Sequence, residues 1–373
     1  MSNLRRRAAL ACAAAALALR AEFAAAQAPE PPLAADAGRL VADARCATHG
    51  RPYAAYAERI RALVQADLDS LAAADRADPP RDAAARRERE GLRAELRARR
   101  PMPQQVYDST FRSGRYECRR LTYRSDGLRV VAYAFRLAAP SPPGGRPVLL
   151  ALRGGTGEFG KVTEPQMAGW APALDAGYLV LLPQYRGNDG GEGREDWGGE
   201  DVRDVLALPR LAAALGGDTT RLALYGGSRG GMMALAALAR GLPARAAVVQ
   251  AAPVDLEANA RLRPVFDTVY AEVDPRLGAR RTRADSAYRA TWLRRRSALA
   301  WVEAIRAPVL LLHGTADWRV APEQSLALAG RLQALGRSYG LVMYAGGDHG
   351  LRAFRADVDR QMLAWFAAHG AAP

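Results

Sequence analysis

Apolar residues recur at helical spacing between residues 52 and 100, at Ile60, Leu63, Val64, Leu68 and Leu71 and again through Leu92 and Leu96 after a Pro79-Pro80 break. Positions three and four apart share one helix face, so this stretch predicts a helical hairpin. Its charged side reads most simply as a solvated face; covering a pocket, or contacting a second copy, is the sharper reading. Beyond Pro101 and Pro103 the period shortens. Residues 119–123 and 130–137 flank Ser125-Asp126-Gly127 and predict a β-hairpin. Short apolar runs then alternate with helical stretches, at residues 148–152, 178–182, 222–225, 246–250, 309–312 and 341–344. Strands that are apolar on both faces belong inside a sheet covered by helices on each side. The pattern therefore predicts an α/β protein with a mostly parallel, doubly wound sheet. A longer interval, about 258–305, holds Tyr270, Tyr288, Trp292 and Trp301 and predicts a helical insertion before the strand at 309–312. Ligands of such sheets bind at the carboxyl ends of the strands.

Composition narrows the picture. Of 373 residues, 49% are hydrophobic, which supports a sizeable core and excludes a disordered chain. No apolar run reaches the roughly 18 residues of a membrane span, apart from an Ala/Leu stretch at the N-terminus, so no membrane partner is expected. Arg5, Arg6 and Arg7, the apolar run at 8–19 and the small residues Ala24, Ala26 and Ala28 together read as a secretory signal. The expected organisation is a signal over 1–28, a helical extension over 29–105 and the main domain over 106–373, in a periplasmic or secreted protein. Removing the signal leaves Cys46 and Cys118, which in an oxidising compartment either bridge or stand as two separate buried thiols.

The net charge of +14 is carried almost entirely by arginine, with Lys161 the only lysine. This reads as the imprint of a GC-rich coding sequence. No helix-turn-helix or RNA-binding pattern interleaves the arginines, so no nucleic-acid partner is expected. From Arg276 to Arg296 there are eight arginines and one aspartate. A cationic lid selecting carboxylate substrates is one reading of this cluster, a solvated helix face the plainer one.

Candidate chemistry sits where the sheet predicts it. After the strand at 222–225 comes Gly226-Gly227-Ser228-Arg229-Gly230-Gly231 and then a helix, which is G-x-S-x-G in its required strand-turn-helix context. A serine nucleophile needs a histidine base held by a carboxylate. The chain has four histidines. His49 lies in the extension, His369 in the last helix, and His313 closes the strand at 309–312 ahead of the expected acid. His349, in Gly346-Gly347-Asp348-His349-Gly350, fits the α/β-hydrolase order of serine, acid, histidine. Asp317 is the favoured acid, Asp255 the reserve, and Asp348 is too close to His349 in sequence. The Arg229 amide supplies one oxyanion donor by position, and Gly155, in Arg153-Gly154-Gly155-Thr156-Gly157, the other. No metal or cofactor is expected, since no histidine or cysteine cluster suggests one.

Three stretches together resemble the catalytic domain of prolyl oligopeptidase-type (S9) serine peptidases. They are Arg296 to Leu299 continuing through His313-Gly314-Thr315-Ala316-Asp317 to Gln324-Ser325; Gln184-Tyr185-Arg186-Gly187 with residues 198–205; and residues 226–233 around the serine. The resemblance implies an α/β-hydrolase fold in which Ser228, Asp317 and His349 are nucleophile, acid and base. It implies a peptidase, which with the N-terminal signal gives the expectation of an exported enzyme acting on a small-molecule or peptide substrate. Family members with strict peptidase specificity usually carry a β-propeller, whereas this sequence has only a short extension and one hairpin before the sheet. Where the family often has Tyr or His before the paired glycines, this chain has Arg153, to which no donor role is given. Both departures keep a carboxylesterase open beside the peptidase, with a non-catalytic binding protein on the same fold as the remote third.

Overall fold

The computed structural model describes residues 32–47, 51–77, 79–80, 83–263, 265–278 and 282–373. The expected signal at 1–28 and His49 lie outside the described residues. The sheet contains β1 (Leu40–Arg45), β2 (Tyr116–Ser125), β3 (Leu128–Leu137), β4 (Arg146–Leu152), β5 (Leu179–Pro183), β6 (Gly217–Gly227), β7 (Ala246–Gln250), β8 (Val309–Gly314) and β9 (Tyr339–Tyr344). Its order is β1-β2-β3-β5-β4-β6-β7-β8-β9. The strands β5, β4, β6, β7, β8 and β9 run parallel, and β1, β2 and β3 add antiparallel at one edge.

The central strands alternate their side chains between two cores. Val148, Leu150, Leu222 and Leu224 face one, Leu149, Ala151, Ala223 and Tyr225 the other. Helices cover both faces, which explains the unbroken apolar runs. Six of them matter here: α1 (Tyr53–Ala77), α2 (Ala83–Ala98), α3 (Arg229–Ala239), α4 (Leu256–Leu262), α5 (Val265–Val273) and α6 (Arg283–Arg296). The β2–β3 turn is closed by Asp126 at φ 50° and Gly127 at φ 76°, the left-handed pair that a two-residue hairpin loop requires.

The extension expected to be helical differs at its start. Residues 40–45 form an edge strand, five of whose six residues are exposed. A strand paired along one side with little burial has no apolar alternation to betray it. Its end is fixed by a Cys46–Cys118 disulfide, Cα to Cα 5.4 Å. The 72-residue interval so closed contains α1 and α2. The insertion forms α4, α5 and α6 between β7 and β8.

The chain order reverses at β4 and β6, because β5 lies on the far side of β4. At their carboxyl ends Leu152 pairs with Gly226. This topological switch point is where open α/β sheets form their crevice.

Candidate active site

Ser228 joins β6 to α3 at φ 55° and ψ −128°, an unfavourable conformation for a non-glycine residue. Its amide donates to Gln250 O at 2.8 Å and its carbonyl accepts from Gly231 N at 2.9 Å. The flanking glycines answer to close approach. A Cβ on Gly226 would lie 2.2 Å from Gly230 O, and one on Gly230 2.0 Å from Leu152 O.

Asp317 and His349 come together from the loops after β8 and β9, with His349 Nδ1 donating to Asp317 Oδ2 at 2.7 Å. Asp317 also accepts from His313 Nε2 at 3.1 Å, Arg319 N at 2.8 Å and Val320 N at 3.0 Å. Burial alone would raise its pKa. The hydrogen bonds from His313 and His349 and the backbone donors outweigh burial and hold Asp317 well below the usual carboxylate range. Because Asp317 takes the Nδ1 proton, the neutral His349 ring offers Nε2 as its acceptor. His349 and Ser228 line the same cavity.

His313, set aside as a base, lies behind the acid. Its Nε2 faces two acceptors, Asp317 Oδ2 and Val320 O at 3.0 Å, so it carries the proton there, and Nδ1 accepts from Ser325 Oγ at 2.7 Å. The reserve acid Asp255 caps α4 by accepting from Ala258 N, and Asp348 accepts from Arg352 N. His369 bonds Trp365 O in the last helix. Gln250 was missed by sequence reasoning. Its Nε2 donates to His349 O at 3.2 Å, its Oε1 accepts from Tyr225 Oη, and its backbone holds Ser228.

The loop after β4 runs beside the serine: a Cβ on Gly154 would lie 3.1 Å from Ser228 Cβ. Behind that loop is a buried ionic cluster. Arg153 Nη2 meets Glu195 Oε1 at 2.6 Å, and Arg229 meets Glu195 at 2.9 Å and Asp201 at 2.7 Å. Burial disfavours the Arg229 cation, but Asp201 and Glu195 more than offset it and its pKa is raised. Glu195 and Asp201 lie in a glycine-rich stretch without periodicity, so nothing in the sequence announced their partners.

The cavity holds about 850 Å³. Besides Ser228, Arg229, Gly155 and His349, its walls include Trp170 and Tyr225, Val265, Phe266, Val269 and Glu272 of α5, and Glu88, Leu92 and Glu95 of α2. Glu95 pairs with Arg319 at 2.7 Å and Glu88 with Arg263 at 2.6 Å. Gly91 lies against the Trp318 indole, 2.7 Å from where its Cβ would be. The insertion lines the cavity with Arg263 and with Val265, Phe266, Val269 and Glu272 of α5. Arg276, Arg289 and Arg296 pair with Asp274, Asp267 and Asp196, and neither Arg294 nor Arg295 is among the described lining residues. Among the described residues no group of three or more His, Cys, Asp or Glu is placed to hold a metal.

A family model described as the prolyl oligopeptidase family matches residues 166–371. An uncharacterized peptidase of Bacillus subtilis (strain 168), YtmA, is 34% identical over 221 residues, covering 58% of this chain and 79% of that one. A solved puromycin-hydrolyzing peptidase of Mycobacterium tuberculosis superposes with a TM-score of 0.58 at 27% identity, over 68% of this chain and 40% of that one. An acetyl xylan esterase of Paenibacillus sp. R4 superposes with a TM-score of 0.53 at 18% identity, over 68% of this chain and 84% of that one, and shares the fold.

Proposed function

The chain belongs to the prolyl oligopeptidase family and is a serine hydrolase, and from that premise we propose that it cleaves peptide amide bonds with Ser228 as nucleophile, His349 as base and Asp317 as acid. The observation that carries the reading is the Asp317–His349 pair opening onto the cavity that the strained Ser228 turn also lines. Ser228 Oγ adds to the substrate carbonyl as its proton passes to His349 Nε2. The amides of Arg229 and Gly155 receive the oxyanion. Asp317 stabilises the imidazolium, which then returns the proton to the departing amine. Water repeats the cycle on the acyl-serine and releases the acid.

The same machinery hydrolyses esters, whose leaving group departs more readily. The test is kcat/KM on one acyl group presented as a p-nitrophenyl ester and as a p-nitroanilide. Turnover of both supports the peptidase, while ester turnover alone makes the protein a carboxylesterase. Ser228→Ala is expected to lower kcat by about 10⁶-fold with the fold intact. Retained turnover in that variant overturns the triad.

The reading includes export. The Cys46–Cys118 bridge supports it, because such bonds persist in oxidising compartments. Mass spectrometry after alkylation, with and without prior reduction, is expected to find two thiols only in the reduced sample, and a start just after Ala26 or Ala28. Two alkylated cysteines in the native protein would argue against it.

A further inference from the structure

Two amides can stabilise an oxyanion only if they are fixed relative to each other before charge develops. Here they come from different strands, Arg229 N from the turn after β6 and Gly155 N from the loop after β4. We infer that the buried quartet Arg153, Glu195, Asp201 and Arg229 positions these two amides by clamping the loop onto the turn. The inference rests on the proposed function, in which Ser228 is the nucleophile.

The clamp can be followed along the loop, one peptide unit after another. Arg153 O accepts from Tyr185 Oη at 3.1 Å, and Gly154 O from Arg153 Nη1 at 3.4 Å. Gly155 O accepts from Arg229 Nη1 at 2.8 Å, and Gly157 N donates to Glu195 Oε2 at 2.9 Å. Neither the Gly155 nor the Arg229 amide hydrogen-bonds to another group among the described residues. In a trans peptide unit C=O and N–H point in opposite directions. Holding Gly154 O on the guanidinium therefore turns the Gly155 N–H to the other side, and Gly154 itself abuts Ser228.

Arg229 serves both sides of the clamp. Its main chain follows the nucleophile, and its side chain, 1% exposed, reaches back to the loop. One planar guanidinium satisfies Gly155 O, Glu195 and Asp201, and it lies between the rings of Tyr185 and Trp197 at 5.1 and 5.2 Å. A lysine ammonium has the charge but not the rigid fork that spans three acceptors. Two cations and two anions leave the quartet with no net charge.

The test is Arg229→Lys, which keeps the charge and loses the fork. Losing one oxyanion donor outright costs about 10²–10³ in kcat. A displaced pair is therefore expected to lower kcat on p-nitrophenyl butyrate by about 10–100-fold, with KM within about threefold of wild type. Butaneboronic acid, whose serine adduct is tetrahedral, should lose affinity by the same factor in calorimetry, while planar butyrate keeps its affinity. Should Arg229→Lys fail to give a cooperative thermal melt, Arg153→Lys is read in the same way, since it withdraws the donor from Gly154 O. A folded variant with wild-type kcat, or one in which boronate and butyrate weaken together, overturns the positioning role. Ser228→Ala separates the two levels. Activity in Ser228→Ala removes the underlying reading, whereas a silent Ser228→Ala beside an unimpaired Arg229→Lys removes the clamp alone.

Discussion

Asp317 receives four donors on two oxygens, and two of them are imidazoles. An asparagine there has one acceptor oxygen and presents an amide to the rest. Asp317→Asn is therefore expected to lower kcat/KM by about 10³–10⁴-fold, because His349 loses the partner that sets its tautomer. It should also destabilise the fold by about 1–3 kcal/mol at neutral pH. The sign with pH follows from the depressed carboxylate: its contribution is complete above the unfolded pKa and is lost as the pH falls through the folded one. The gap in melting temperature between wild type and variant should accordingly shrink below about pH 4. A gap that widened in acid would contradict the hydrogen-bonded, ionised carboxylate. The candidates Ser228 and His349, which line one cavity, could be picked from the sequence because one motif and four histidines leave few combinations. Glu195, Asp201 and Gln250 were not, since a charge or an amide finds its partner through folding and carries no spacing rule.

Among the elements, α2 shows why a glycine stands inside a helix. Gly91 costs about 1 kcal/mol of helix propensity relative to alanine. The Trp318 indole takes up the space where its side chain would be. Gly91→Leu favours the helix yet forces α2 off Trp318, drawing Leu92 and Glu95 away from the cavity. The kcat/KM ratio of p-nitrophenyl octanoate to butyrate is expected to rise several-fold in this variant, and an unchanged ratio would mean that α2 does not limit the cavity. The hairpin was readable from its period, and so were the six strands that are apolar on both faces. The edge strand β1 was hidden because its exposed residues obey neither pattern. Strand order was hidden too, since periodicity describes each strand alone and says nothing of its neighbours.

For the whole molecule, the switch point between β4 and β6 decides where the chemistry gathers, and the disulfide decides what stands over it. Closing a 72-residue loop restricts the unfolded chain by about 4 kcal/mol in the chain-entropy account. Cys118→Ser should lower stability by about that amount in denaturant titrations, and a loss below about 1 kcal/mol would mean that the unfolded loop is already ordered. The closed loop also carries α1 and α2, with both ends pinned at one place on the sheet edge. If the Glu88 and Glu95 pairs break, the hairpin is still held at both ends of the closed loop. Its local concentration at the cleft stays in the millimolar range typical of short tethers. Reclosure is then a unimolecular event, as fast in dilute solution as in a concentrated one.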